Sequence, residues 1–333
     1  ARDSESLNWV FANVLYRLEL GDVFGADAPE DGVDQRAAAL PIALTVEKPR
    51  PRGTVALVGG RAITMRGDEV IEDATVVVTD NRITAVGPTG SFTIPEGART
   101  LDVSGKTIIP GLIDAHAHIR GMPRDVLVDI APEPLVNLAF GVTMARDVNA
   151  STDQFHYREL IEAGRMLGPR IFMTGPSQTS RAVRIGSFAD AFAGVKRYAD
   201  RGSFSIKQYL QPQRRQMQWM LQAADSLGLN ATDEGGGVMR QVAMILDGYT
   251  AVEHAPTSWA NIYEDVAQLY ARSGTMYVPT LVVAAPDVYQ GELYWYQTTD
   301  VHADEKLGHF LTHAALDHKS RTSQRYSEDE YFF

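Results

Sequence analysis

The chain has 333 residues, 31 Lys plus Arg against 42 Asp plus Glu, a formal net charge of −11 and no cysteine. The missing cysteine excludes a disulfide scaffold, a Cys-ligated zinc module and a Cys-nucleophile enzyme. An acidic balance without a basic block argues against a nucleic-acid or anionic-membrane surface, the length predicts roughly two domains, and no apolar run approaches the ~18 residues of a membrane span.

Residues 6–10 and 14–18 alternate apolar and polar side chains around Phe11-Ala12-Asn13, which predicts a hairpin. Residues 21–39, rich in Gly, Asp, Ala and Glu, predict a mobile connection that supplies no partner strand. Residues 40–46 alternate again before the Pro-rich stretch Lys48-Pro49-Arg50-Pro51-Arg52-Gly53. The expected division is an upstream β remnant over 1–46, a linker over 47–53, a β-rich domain over 54–106 and a third part over 107–333.

From Thr54 the pattern is strongly β, with Val55 to Val58, Ala62 to Met65, Ala74 to Val78, Ile83 to Gly87 and Arg99 to Val103 separated by turn residues. Short strands at that spacing predict a small β-sandwich or roll. After Lys106 the rhythm becomes strand, loop, helix. Strands are expected at 107–113, 142–145, 170–174, 204–209, 229–232, 250–253 and 276–283, with helices between them, notably 214–227 and 262–272. Seven strands alternating with helices predict parallel βαβ units and an α/β fold of (β/α)8 TIM-barrel type; an open doubly wound sheet is the competitor, without its usual Gly-rich fingerprint.

The stretch Ile108-Ile109-Pro110-Gly111-Leu112-Ile113-Asp114-Ala115-His116-Ala117-His118 carries the most chemistry. Residues i and i+2 of a strand share a face, so His116 and His118 aim together at the carboxyl end of the first barrel strand, where active sites of barrels lie. Two converging imidazoles suit a divalent metal such as zinc; the plainer alternative is a pair of hydrogen-bonded histidines.

With the turn Asp80-Asn81-Arg82-Ile83 and the stretch Gly59-Gly60-Arg61-Ala62-Ile63 upstream, this motif resembles the amidohydrolase superfamily, metal-dependent hydrolases of imidazolonepropionase and prolidase type. The resemblance runs from about Gly53 to Phe333. It implies a divalent metal, zinc before manganese or iron, as one or two ions. It further implies ligands from strand one (His116, His118), a carboxylated lysine ending strand four (Lys207), a histidine on strand six (His254) and a strand-eight acid. Burial of a charged lysine is costly, and the neutral amine can add carbon dioxide to give an anionic oxygen ligand. Tyr209 shares the face of Lys207 and is a substrate-contact candidate. Strand five departs from the family pattern: Asp233-Glu234-Gly235-Gly236-Gly237 holds no histidine. Glu234, or else Asp233, takes that place as an oxygen ligand. Glu253 is read as pointing away from His254 into a structural ion pair, and Arg146-Asp147 as an ion pair or loop cap. His156, His302, His309, His313 and His318 are read as surface or helix residues.

After strand seven an aromatic loop (Tyr289, Tyr294, Trp295, Tyr296) leads to no eighth strand, and residues 107–333 fall short of the ~250 usual for such barrels. The chain is therefore expected to be a window of a longer protein, with the opening hairpin resembling the last blade of a TolB-like β-propeller. The catalytic acid or base stays unassigned. The expected function is hydrolysis of a C–N bond in an amide, peptide or cyclic amide by a metal-activated water. The rivals are a catalytically silent metal-binding or interaction module and a heterocycle deaminase. The expected partner is a small amide or peptide, with no nucleic acid and no membrane span; a homo-oligomer and an exported, periplasmic location are further expectations.

Overall fold

In a computed structural model that describes residues 5–24, 37–119, 128, 130–179, 184–256, 262–280 and 299–320, the first alternating stretches form β1 (Ser6–Phe11) and β2 (Val14–Glu19). They pair antiparallel around an Ala12-Asn13 turn, and Trp9 stacks on its cross-strand neighbour Tyr16 at 5.3 Å between ring centroids. A short helix, α1 (Gly21–Phe24), follows. β3 (Ala38–Pro41) then pairs with β2, so the hairpin does have a third strand, with Val14 opposite Pro41 and Arg17 opposite Ala38. The alternation expected to run to Val46 stops at Pro41, and residues 42–50 form no regular element. This sheet belongs to a unit spanning Ala1–Glu47; the remainder, Lys48–Phe333, is a second unit.

The second unit begins with β4 (Thr54–Ile63), β5 (Val70–Thr79), β6 (Arg82–Pro88), β7 (Arg99–Asp102) and β8 (Thr107–Ile108). The two strands expected at 55–58 and 62–65 are one: β4 runs through Gly59 and Gly60, where its register with β5 shifts. The strands form a single sheet in the order β6-β5-β4-β7, with β8 also on β4. All five strands belong to this one sheet, so the strands expected to build a sandwich or roll make a single layer. Ala56, Ala62, Ala74, Val76 and Val77 are its buried apolar positions.

The expected first barrel strand, 107–113, also divides. Its start is β8 of the small sheet, and the barrel strand proper is β9 (Leu112–Ala117), after Pro110, which has no N–H to donate to a ladder. Then follow α2 (Pro132–Ala139), β10 (Val142–Asp147), α3 (Gln154–Glu162), β11 (Arg170–Met173), β12 (Gln178–Thr179) and α4 (Phe188–Ala199). The alternation continues with β13 (Ser205–Tyr209), α5 (Arg214–Ser226), β14 (Asn230–Asp233), α6 (Val238–Asp247), β15 (Ala251–Glu253), α7 (Glu264–Ser273) and β16 (Met276–Val278). α8 (Glu305–Phe310) and α9 (His313–Ser320) complete the described chain; the aromatic loop at Tyr289 to Tyr296 lies outside the described residues.

Helix ends follow local chemistry. Ser187 caps α4 by accepting from Asp190 N at 3.2 Å, Asp304 caps α8 by accepting from Leu307 N at 2.9 Å, and left-handed Gly248 and Gly274 close α6 and α7. The parallel strands form two arcs, β11-β10-β9 and β12-β13-β14-β15-β16, and the ladder is not closed among the described residues: β9 and β16 each have one strand neighbour. The helices pack outside. Ile206 and Ala231 of the strands bury against Val195, Met217, Met220, Ala224 and Met244 of α4, α5 and α6, while Ala117, Ala145, Ile171 and Met173 bury with Phe155 of α3. No described helix is long and apolar enough to cross a membrane.

Candidate metal centre

The strands deliver their chemistry at their carboxyl ends, and the manner in which each strand stops decides what faces what. His116 lies within β9, and His118 just beyond it is carried by a segment that Asp147 pins from the end of β10. The Asp147 carboxylate is buried and accepts from the backbone N–H of Ile119 and of Asn149, each at 3.0 Å, and from Gln154 Nε2 at 3.0 Å. Asp147 is thus the loop cap expected of it. The His116 and His118 rings meet edge-on at 5.3 Å between centroids.

β15 ends at Glu253, and His254 takes a left-handed φ of 66°, uncommon for a residue with a Cβ. The turn breaks strand alternation. Glu253, expected to face away from the site, instead places Oε2 2.8 Å from His116 Nδ1, while its other oxygen accepts from Arg146 Nη2. The expected ion pair exists, and the same carboxylate also grips the candidate ligand. Arg146 is itself anchored by Nε to the Ala115 carbonyl at 2.7 Å. The His254 ring lies 4.6 Å from that of His116, and Thr280 Oγ1 stands 3.3 Å from His116 Nδ1.

This arrangement fixes a protonation state. Burial raises the Glu253 carboxyl, but the His116 hydrogen bond and the charge of Arg146 outweigh it and hold the group below the usual carboxylate range. An ionised Glu253 only accepts, so His116 donates from Nδ1. Burial, assisted by the charge of Lys207, lowers the His116 pKa despite Glu253. The neutral imidazole then presents a lone pair at Nε2, which is buried and has no hydrogen-bond partner, as is His254 Nδ1.

Lys207 of β13 is 2% exposed, and its Nζ lies 2.5 Å from Glu234 Oε2 and 5.7 Å from the centroid of the Tyr209 ring. Glu234 Oε1 is 3.4 Å from His254 Nε2. Burial raises the Glu234 carboxyl, while His254 and Lys207 pull it down further, leaving it lowered on balance. The two strand-five acids part company. Asp233 turns to Arg240, with Oδ1 3.3 Å from Nη2, and accepts from Gly235 N at 2.9 Å. Its burial pushes the carboxyl up to about 6 against those contacts.

His116, His118, Lys207, Glu234 and His254 therefore meet at one end of the parallel strands, with Tyr209 beside Lys207. The donor set, imidazole nitrogen and carboxylate oxygen, fits a zinc-class divalent ion, and two orphaned buried imidazole nitrogens are what such an ion satisfies. The set is open rather than tightly closed. Among the described residues only His302, His313 and Asp317 bring three ligand atoms within 4.8 Å of one another. Sequence reasoning missed Glu253, Arg146 and Thr280 as support for His116; only the local turn at His254 reveals the first. His302 and His313, read as surface or helix residues, do lie in a turn and on a helix, and their meeting with Asp317 carried no signal in the sequence.

No protein-family model matches the chain. It is 44% identical over 54 residues to an imidazolonepropionase of Rhizobium rhizogenes, covering 16% of this chain and 13% of that protein. It is 33% identical over 61 residues to adenine deaminase 3 of Rhizobium meliloti (strain 1021), covering 18% of this chain and 10% of that protein. The chain thus aligns with only a small part of each curated relative. The solved structure of a Xaa-Pro dipeptidase with bound methionine in its active site matches with a TM-score of 0.58 at 18% identity, over 80% of this chain and 73% of that one. The similar proteins are hydrolases acting on carbon–nitrogen bonds. These likenesses support the amidohydrolase resemblance carried by the motif around His116, and the dipeptidase adds that the α/β fold is of the same kind.

Proposed function

We propose that this chain carries the metal centre of a hydrolase of C–N bonds in an amide, peptide or cyclic amide. The observation behind the reading is His116: a buried imidazole whose Nδ1 is taken by Glu253 and whose Nε2 is buried with no hydrogen-bond partner. His116, His118, His254 and Glu234 hold one or two zinc-class ions, and Lys207, as its carbamate, adds an oxygen ligand. A bound ion supplies an acidified water and a polarised substrate carbonyl. Glu253 and Arg146 keep His116 in its ligating tautomer, Glu234 balances charge, and Tyr209 contacts the substrate. The small-sheet unit of residues 5–19 and 37–41 is in keeping with the last strands of a propeller blade preceding the hydrolase.

Metal content tests the reading. Protein purified after supplementation with zinc, manganese or iron is expected to carry metal at the strand ends, and His116→Ala with His118→Ala to abolish that share together with dipeptidase or lactamase-type hydrolysis. Less than ~0.2 equivalents at the strand ends, read as the share lost on those two substitutions, overturns it. A deaminase reading is favoured by the similarity to adenine deaminase 3; ammonia released from a heterocyclic amine, without ring or peptide cleavage, selects it.

A further inference from the structure

His302, His313 and Asp317 take no part in the reaction proposed above. His313 and Asp317 are four residues apart on α9 and so share a face; His302 comes from the turn ahead of α8. Asp317 Oδ1 lies 3.2 Å from His302 Nε2 and 3.6 Å from His313 Nε2. The two rings stand 4.9 Å apart. Both imidazoles thus converge on the same oxygen of a carboxylate that has two. A tetrahedral ion with bonds of about 2.0–2.2 Å sets neighbouring donor atoms roughly 3.2–3.6 Å apart, which is the spacing of both His–Asp edges. Ser320 Oγ stands 3.5 Å from His302 Nε2.

The backbone that carries these ligands is held in place. Asp304 caps α8, Lys306 donates to the Ala139 carbonyl at 3.0 Å and lies 4.9 Å over the Phe140 ring, and Leu316 of α9 is 4% exposed. His313 is 81% exposed at its side chain, which leaves the cluster open to solvent and to an entering ion.

We propose that His302, His313 and Asp317 form a second, structural site for a zinc-class divalent ion, which ties α9 to the turn preceding α8. Two neutral imidazoles and one carboxylate hold the ion, and solvent completes its shell. The donor set selects borderline transition ions (zinc, cobalt, nickel) over calcium or magnesium, which require more oxygen ligands.

The site is tested in the full chain by zinc titration. With His116→Ala and His118→Ala in place, one equivalent of zinc is expected still to bind, and adding His313→Ala or Asp317→Asn lowers that affinity at least tenfold. In the otherwise unaltered chain, zinc is expected to shift the imidazole nitrogen resonances of His302 and His313, a readout that survives if the strand-end variants fail to fold. Affinity unchanged by His302→Ala with His313→Ala, or resonances that ignore zinc, overturns the proposal. Because the two sites share no ligand, either can fail while the other stands.

Discussion

At the scale of single residues, the decisive contact is Glu253 to His116. A buried carboxylate shared by an imidazole and a guanidinium both orients the ring and sets which nitrogen is bare. Glu253→Gln keeps the shape but lets the amide donate, so His116 is free to adopt either tautomer. The expected result is a 10- to 100-fold loss of zinc affinity at the strand ends with the fold intact, read by competitive titration and by the nitrogen shifts of His116. Unchanged affinity would remove Glu253 from this role. Glu253→Ala goes further: it leaves the half-buried Arg146 guanidinium without its carboxylate, held only by the Ala115 carbonyl, which costs up to about 3–5 kcal/mol, visible in denaturant unfolding. The histidines were legible because strand alternation and the Pro110-Gly111 entry place them together. Glu253 was misread because the same alternation was applied one residue past its limit. The strand ends there, and the left-handed His254 brings the two neighbouring side chains to the same cluster.

At the scale of elements, the turn from β14 into α6 shows what the glycines are for. Gly235 has φ of +88°, and a Cβ there would meet the Glu253 carbonyl oxygen and Gln241 Nε2. Gly235→Ala is expected to lower stability by about 1–3 kcal/mol and to weaken metal binding, since it displaces the strand end that carries Glu253. Gly237→Ala is the control: φ is −66°, nothing lies within 4 Å, and only an N-cap preference of ~1 kcal/mol is at stake. Thermal melts of both variants decide. Between α5 and α6, Arg214 donates to both oxygens of Asp247, at 2.9 and 2.6 Å, and Gln218 adds a third bond at 3.0 Å. The Arg214 hydrogen bond, then that of Gln218, holds the Asp247 carboxyl below its ordinary value against the effect of burial. A depressed folded-state value means stability that is fully present above the unfolded pKa of about 3.9 and lost as pH falls through the folded one. Asp247→Asn should therefore flatten the acid limb of the stability profile below about pH 4; the effect is modest because Arg214 is 52% exposed. Most of these elements were readable from apolar periodicity and capping residues, α5 and α7 to within two residues at either end. β3 was read only in part: alternation was expected from Leu40 to Val46, whereas the strand is Ala38–Pro41, its bounds set by pairing with β2. The division of 107–113 between two sheets was hidden for a similar reason: a continuous apolar run does not say which ladder each half joins.

At the scale of the whole molecule, the order of strands and helices fitted a barrel-type fold, whereas closure is a property of distant pairings that local pattern does not encode. Metal links the parts energetically. Free zinc at 100 times the dissociation constant of a site adds about 2.7 kcal/mol of stability, so calorimetry should show the melting temperature rise on zinc addition and return on chelation. Loss of His302 and His313 should remove one share of that rise and loss of His116 and His118 another. The two parallel arcs have a further consequence along β9 and β16. β9 and β16 each have a strand on one side only among the described residues, and Leu112, Ile113, Met276 and Tyr277 are exposed along them. Apolar side chains exposed side by side favour association between copies. The protein should associate increasingly with concentration, and Ile113→Lys should suppress that in light scattering while sparing zinc uptake at His302, His313 and Asp317. How readily copies of this chain associate would then depend on these exposed apolar side chains, a property separate from its chemistry.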